Sequence, residues 1–162
     1  KKMPSILFVC TANQIRSPFA AAYFKKLIIE NNAHDNRSWR IDSAGTWAQP
    51  GLPADLQLRN FEQRWGLDFS RHKSRQVDES LLESFNLVLV MEKGQREALL
   101  YEFPQFSEKI MLLTDFSAPA YDIDDPRGFG EKQYVKCLEE ISRILSVAFT
   151  EISREANLDP AR

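Results

Sequence analysis

The sequence predicts a single α/β domain: a four-stranded parallel sheet flanked by helices on both faces, with a phosphate-binding loop between the first strand and the first helix. Three observations carry that expectation. Short, nearly continuous apolar runs recur at 5–9, 39–43, 86–91 and 109–113, the pattern of strands buried on both faces. Between them lie stretches at 18–31, 54–65 and 93–101 whose apolar residues recur three and four apart, which gives a βαβ rhythm. A chain of 162 residues with 43% hydrophobic content also suits one core rather than two.

The elements follow in order. The first strand ends at Val9, the loop runs from Cys10 to Arg16, and a helix is entered through Ser17 and Pro18, a residue suited to a first helical turn. The polar stretches 31–38 and 68–75 read as loops. The last helix, 131–152, carries Val135, Leu138, Ile141, Leu145 and Ala148 on one stripe and is expected to pack across a sheet face. No repeat, low-complexity block or linker divides the chain, so one domain is expected over residues 1–153, followed by a tail, 154–162, that frays from Arg154.

Composition excludes several classes of partner. Lys and Arg number 21 against 23 Asp and Glu, so there is no basic field and no nucleic-acid partner is expected. No run approaches the roughly 20 apolar residues of a membrane span, and a cytoplasmic location without membrane attachment is the expectation. Cys10 and Cys137 are too few for a disulfide framework, and two distant histidines give no zinc spacing. Reduced thiols, no metal and no cofactor are expected.

The stretch VCTANQIRSP, residues 9–18, has a chemical reading of its own. A strand, a short loop and a helix start aim backbone N–H groups at one point, where an anion belongs. Cys10 at the rim would feel those groups, Arg16 and the Ser17 hydroxyl, all of which favour thiolate over thiol. The planar fork of Arg16 matches two oxygens of a phosphate. Thr11, Ala12, Asn13, Gln14, Ile15 and Ser17 would complete the cradle. Asn13 is a residue type that tolerates a left-handed backbone, which helps a loop turn its N–H groups inward. A bare Cys-x5-Arg spacing arises often by chance; the strand before it, Asn13 within it and the Ser-Pro helix start after it make it specific.

With IDSAGT at 41–46, HKSRQ at 72–76, LVLVME at 87–92 and DDPRGFG at 124–130, nearly the whole chain resembles the low-molecular-weight protein tyrosine phosphatases. The resemblance implies that Cys10 attacks phosphorus, that Arg16 holds the phosphoryl oxygens and that Asp125, of the late Asp-Pro pair, is the general acid. It places supporting roles on Asn13, Ser17, Ser43 and His72. The implied partners are a phosphotyrosine protein or peptide and inorganic phosphate or a similar oxyanion, with no cofactor. The chemistry agrees: a neutral carboxylic acid protonates the leaving oxygen, and the carboxylate left behind takes a proton from the attacking water.

Three departures bear on specificity and redox behaviour. Ile15 stands where many members of the family carry a second cysteine able to form a protective disulfide, so an oxidised Cys10 would lack that partner. After Asp125-Pro126 come Arg127, Gly128 and Phe129 instead of one or two tyrosines, which leaves Trp47 and Phe129 as candidate walls of a substrate slot. Thr11 directly after Cys10, with a glycine-rich acid loop, matches relatives that act on phosphoarginine, and a phosphoarginine phosphatase stays open as an alternative. Arg127 at the mouth would repel a second guanidinium. A non-catalytic phosphate-binding module would need neither thiol nor acid. An arsenate reductase on this scaffold needs further cysteines, and none stands between residues 72 and 92.

Overall fold

Four parallel strands lie side by side in the order β2-β1-β3-β4: β1 (Ser5–Cys10), β2 (Arg40–Gly45), β3 (Leu87–Val90) and β4 (Ile110–Leu112). They belong to a computed structural model that describes residues 3–31 and 38–158. β1 is paired on both sides and every one of its residues is buried, which is why its sequence is an unbroken apolar run. β2 sits at an edge, where the Arg40 guanidinium lies over the Phe85 ring and Asp42 is half-buried.

Alternate side chains of the strands feed two cores. On one face Ile6, Phe8, Leu87 and Leu89 pack with α1 (Arg16–Asn31), α6 (Glu131–Val147) and α7 (Phe149–Asn157). On the other, Leu7, Val9, Val88 and Val90 pack with Leu81 and Leu82 of α4 (Glu79–Glu83) and Leu99 of α5 (Lys93–Glu102). Helices on both faces leave the sheet's carboxyl-terminal edge open to the loops. The first strand has neighbours reached in opposite directions, so that edge forms a crevice beside the end of β1.

The structure alters several expected boundaries. The helix predicted over 54–65 is two short ones, α2 (Leu56–Asn60) and α3 (Glu62–Trp65), because Phe61 turns inward and stacks on Tyr134 at 5.7 Å. The helix predicted over 131–152 breaks at Ala148, and α7 then runs to Asn157. The fraying expected from Arg154 is not found: Ala156 is fully buried and its carbonyl accepts a 2.8 Å hydrogen bond from Asn86. α1 begins at Arg16, one residue before the expected entry at Ser17, with Pro18 in its first turn. Residues 68–75 form a loop, whereas most of the loop expected over 31–38, and residues 159–162 of the tail, lie outside the described residues.

Candidate active site

β1 ends in Cys10, and the chain turns sharply before α1. Asn13 makes that turn possible by adopting a left-handed backbone, φ 59°. Its side chain is fully buried and fully used: Nδ2 donates to Ser17 Oγ and to Ser43 Oγ, each at 2.9 Å, while Oδ1 accepts from the Arg75 amide at 3.0 Å. That set fixes which end of the amide faces which partner. His72 Nε2 donates to the Asn13 carbonyl at 2.7 Å, and Arg75 Nε donates to the Ser43 carbonyl at 3.2 Å while its guanidinium pairs with Asp42. Burial, with Arg75 adding to it, lowers the His72 imidazole below its ordinary value against the opposing pull of Asn13 and Asp42.

The loop closes around Cys10. Its sulfur is 3.0 Å from Ser17 Oγ, and only 2% of the residue is exposed. Among the described residues, the backbone N–H groups from Thr11 to Ser17 donate to no other protein group. Helix geometry accounts for the last of them, since the first N–H groups of α1 have no acceptor in the helix itself. The end of β2 presses against this loop: Thr46 and Trp47 amides donate to the Cys10 and Thr11 carbonyls at 2.9 and 3.0 Å. A Cβ on Gly45 would lie 2.3 Å from the Thr11 carbonyl, so only glycine fits there.

Arg16 is 2% exposed, and its Nη1 donates to the Ile123 carbonyl at 2.7 Å and pairs with Glu92 at 3.0 Å. Burial works against its charge, but Cys10, Glu92 and Asp125 outweigh burial and raise its pKa. Asp125 is therefore near enough for its charge to be felt at Arg16, and it stands exposed on the loop that follows Ile123, accepting from the Arg127 amide at 3.0 Å.

Sequence reading did not find the residues that link these loops. Glu92, at the end of β3, holds Arg16, and Gln95 braces both Glu92 and the Thr11 hydroxyl, at 2.9 and 3.0 Å. The available signal was a charge directly after a buried parallel strand, at the edge where such sheets bind ligands. Asp55 was also missed. It caps α2 through Gln57 N and accepts from the Tyr134 hydroxyl at 3.0 Å. Arg127 reaches both Asp55 and Gln14.

The two rings expected as opposite walls border separate clefts. Trp47, 85% exposed, lines one of about 630 Å³ with Ala12, Gln14 and Leu52. Phe129, 72% exposed, lines another of about 630 Å³ with Asp124, Asp125, Lys136 and Cys137. Ile15 is buried in the core. Burial pushes the Cys137 thiol up to about 12, so it stays protonated at neutral pH.

A family profile described as low molecular weight phosphotyrosine protein phosphatase matches residues 5–158. The chain belongs to that family. Among relatives of this phosphatase-family chain, the low molecular weight phosphotyrosine protein phosphatase of Rattus norvegicus is 39% identical over 91 residues, 56% of each chain, so in this match the chain spans about half the length of that relative. The protein-arginine-phosphatase of Bacillus subtilis is 30% identical over 143 residues, 86% of this chain and 91% of that one. The crystal structure of the low molecular weight protein tyrosine phosphatase from T. tengcongensis superposes with a TM-score of 0.84 at 29% identity, covering 93% of this chain and 99% of that one.

Proposed function

We propose that this chain hydrolyses phosphotyrosine on proteins, an aryl phosphate monoester, through a cysteinyl-phosphate intermediate. The observation that carries the reading is the loop from Cys10 to Ser17, whose backbone N–H groups from Thr11 onward find no acceptor among the described residues and which carries a buried sulfur and a buried guanidinium. Such a loop suits inorganic phosphate or a similar oxyanion as well as a phosphoryl group.

In the first step the Cys10 thiolate attacks phosphorus. The sulfur then carries no hydrogen, so Ser17 Oγ, which accepts from Asn13, turns its one O–H from the Ala44 carbonyl, 3.3 Å away, to donate a hydrogen bond to the sulfur at 3.0 Å. Arg16, anchored through Nη1, presents Nε and Nη2 to two phosphoryl oxygens, and the loop N–H groups take up the charge of the transition state. Asp125 protonates the departing phenolic oxygen as the P–O bond breaks. In the second step water attacks phosphorus, Asp125 takes its proton, the P–S bond breaks and phosphate leaves with Cys10 restored. Thr11, Ala12, Gln14 and Ile15 supply cradle backbone, Ser43 and His72 hold Asn13, and Trp47 and Phe129 offer apolar surface to the substrate.

The second reading, phosphoarginine as substrate, draws on the Thr11 hydroxyl and on the pairing of Arg127 with Asp55, which offsets the charge expected to repel a guanidinium. Release of inorganic phosphate from phosphotyrosine and phosphoarginine peptides, compared in the unmodified chain and in Cys10→Ser, tests both. We expect faster release from phosphotyrosine and loss of both activities in Cys10→Ser. A preference for phosphoarginine moves the substrate, and release that survives Cys10→Ser removes the mechanism.

A further inference from the structure

The loop that bears Asp125 is weakly tied to the rest of the molecule. It leaves the sheet edge at Ile123, whose amide donates to the Met91 carbonyl at 2.9 Å, and enters α6 after Gly130. Gly128 and Gly130 have φ of 85° and 90°, a backbone that costs other residues strain. Among the described residues, the hydrogen bonds that join 124–129 to other segments are one long contact from the Cys137 thiol to the Asp124 carbonyl, 3.9 Å, and those of Arg127.

Arg127 does not point into free solvent. Its Nη2 donates to Gln14 Oε1 at 3.2 Å and lies 3.4 Å from Asp55 Oδ2. Both acceptors are already held to the phosphate loop: the Asp55 amide donates to the Gln14 carbonyl at 3.0 Å, and Gln14 Nε2 donates to the Pro53 carbonyl at 3.1 Å. The Asp55 carboxylate is fixed further by the Gln57 amide and by Tyr134, a fully buried ring stacked on Phe61. Arg127 thus has prearranged acceptors on one side. On the other, its own amide is bonded to the Asp125 carboxylate two residues back.

Resting on the phosphatase reading, we propose that Arg127 is a positioning residue: bonded to Gln14 and Asp55, it sets the register of the Asp125 loop against the phosphate loop. The two half-sites, one that grips the phosphoryl group and one that moves the proton, come from segments more than a hundred residues apart in sequence; Arg16 ties them at the base of the acid loop through the Ile123 carbonyl, and Arg127 ties them beyond Asp125. A displacement of a catalytic group by about an ångström costs up to about 10²-fold in rate, so a latch of this kind acts on turnover and not on affinity. It also leaves little charge over for recruiting an acidic peptide, because the guanidinium already has a carboxylate partner.

The test compares a phosphotyrosine peptide, whose phenol has a pKa of about 10 and needs the proton, with nitrophenyl phosphate, whose leaving group needs it less. Arg127→Ala is expected to lower kcat about tenfold on the peptide and less than about threefold on the nitrophenyl ester, with KM unchanged on both. Arg127→Lys, a point charge without the planar fork, is expected to recover part of the loss. In an Asp125→Ala background the same substitution is expected to add nothing. Arg127→Met, which keeps most of the side-chain length, stands in if the alanine variant melts at a lower temperature. Equal losses on both esters that multiply with those of Asp125→Ala overturn the latch, as does a rise in KM confined to peptides with acidic flanks. If the unmodified chain turns over neither ester, the phosphatase reading falls and takes the latch with it.

Discussion

The loop from Cys10 to Ser17 and the loop from Asp124 to Gly130 meet at one site but are built in opposite ways. In the first, Asn13, Arg16 and Ser17 are at most 2% exposed, and Asn13 alone ties the turn to α1, to β2 and to the segment at Arg75. In the second, Asp124, Asp125 and Arg127 are exposed, and outside contacts are few. On the proposed phosphatase reading, the difference follows from the task. Holding a phosphoryl group at a developing transition state rewards dipoles that are fixed before the substrate arrives. An acid that protonates a leaving group must admit a bulky substrate and also reach its oxygen, so it sits on a segment with room to adjust.

Removing the acid should separate the two loops most sharply. Asp125→Ala is expected to lower kcat by roughly 10²–10⁴, the usual worth of general acid catalysis, with a larger loss on phosphotyrosine than on nitrophenyl phosphate. Inhibition by inorganic phosphate should stay as strong as in the unmodified chain, because Arg16 and the loop amides are untouched. Equal losses on the two esters would take the acid role away from Asp125 and turn attention to Asp124 or Asp122.

The converse experiment loosens the holding loop. Asn13→Ala leaves Ser17, Ser43 and the Arg75 amide without their buried partner and keeps a Cβ on a left-handed backbone, an expected cost of about 3 kcal/mol in denaturant unfolding. Inhibition by phosphate is expected to weaken roughly tenfold, while the ratio of rates on the two esters stays where it was. Asn13→Gly relieves the backbone without restoring the bonds. If it matches the unmodified chain in both stability and phosphate inhibition, the side-chain bonds are not what holds the loop.

The same contrast explains what could be read from the chain in advance. The holding loop was legible because its parts are local: an apolar strand, a residue type that tolerates positive φ and a proline at the helix start all fall within fourteen positions of sequence. Ser43 stands near the end of the next strand and is brought to Asn13 simply by β2 pairing with β1. The hold on Arg16 was not legible. Glu92 reaches it because β3, third in sequence, lies directly beside β1, and a periodic pattern does not state strand order. Asp55 and Tyr134 were hidden for the same reason, with one further twist. The helix pattern over 54–65 looked continuous, whereas Asp55 starts a short helix and Phe61 interrupts it to stack on Tyr134.

The smallest expected effect concerns acid and the back of the holding loop. His72 donates from Nε2 to the Asn13 carbonyl, and burial lowers its pKa below the ordinary value of about 6.5. Between the lowered value and about 6.5 the unfolded chain therefore binds more protons than the folded one. Stability from His72 is then fully present above about pH 6.5 and is lost as pH falls through the lowered value. Because the ring is only partly buried, solvent screens the charge and the effect is modest. His72→Gln keeps an N–H donor for Asn13 but cannot titrate. Thermal unfolding of both chains between pH 7.5 and 5.5 isolates the difference, since His34 and the carboxylates are common to the two. The unmodified chain should lose more of its melting temperature on acidification, and its inhibition by phosphate should weaken in the same window, corrected for the ionisation of phosphate itself, while the preference between the two esters does not move. Parallel melting curves would mean that protonated His72 is accommodated without cost and that the holding loop is indifferent to its charge. A change in ester preference alone would place the pH sensitivity in the Asp125 loop instead.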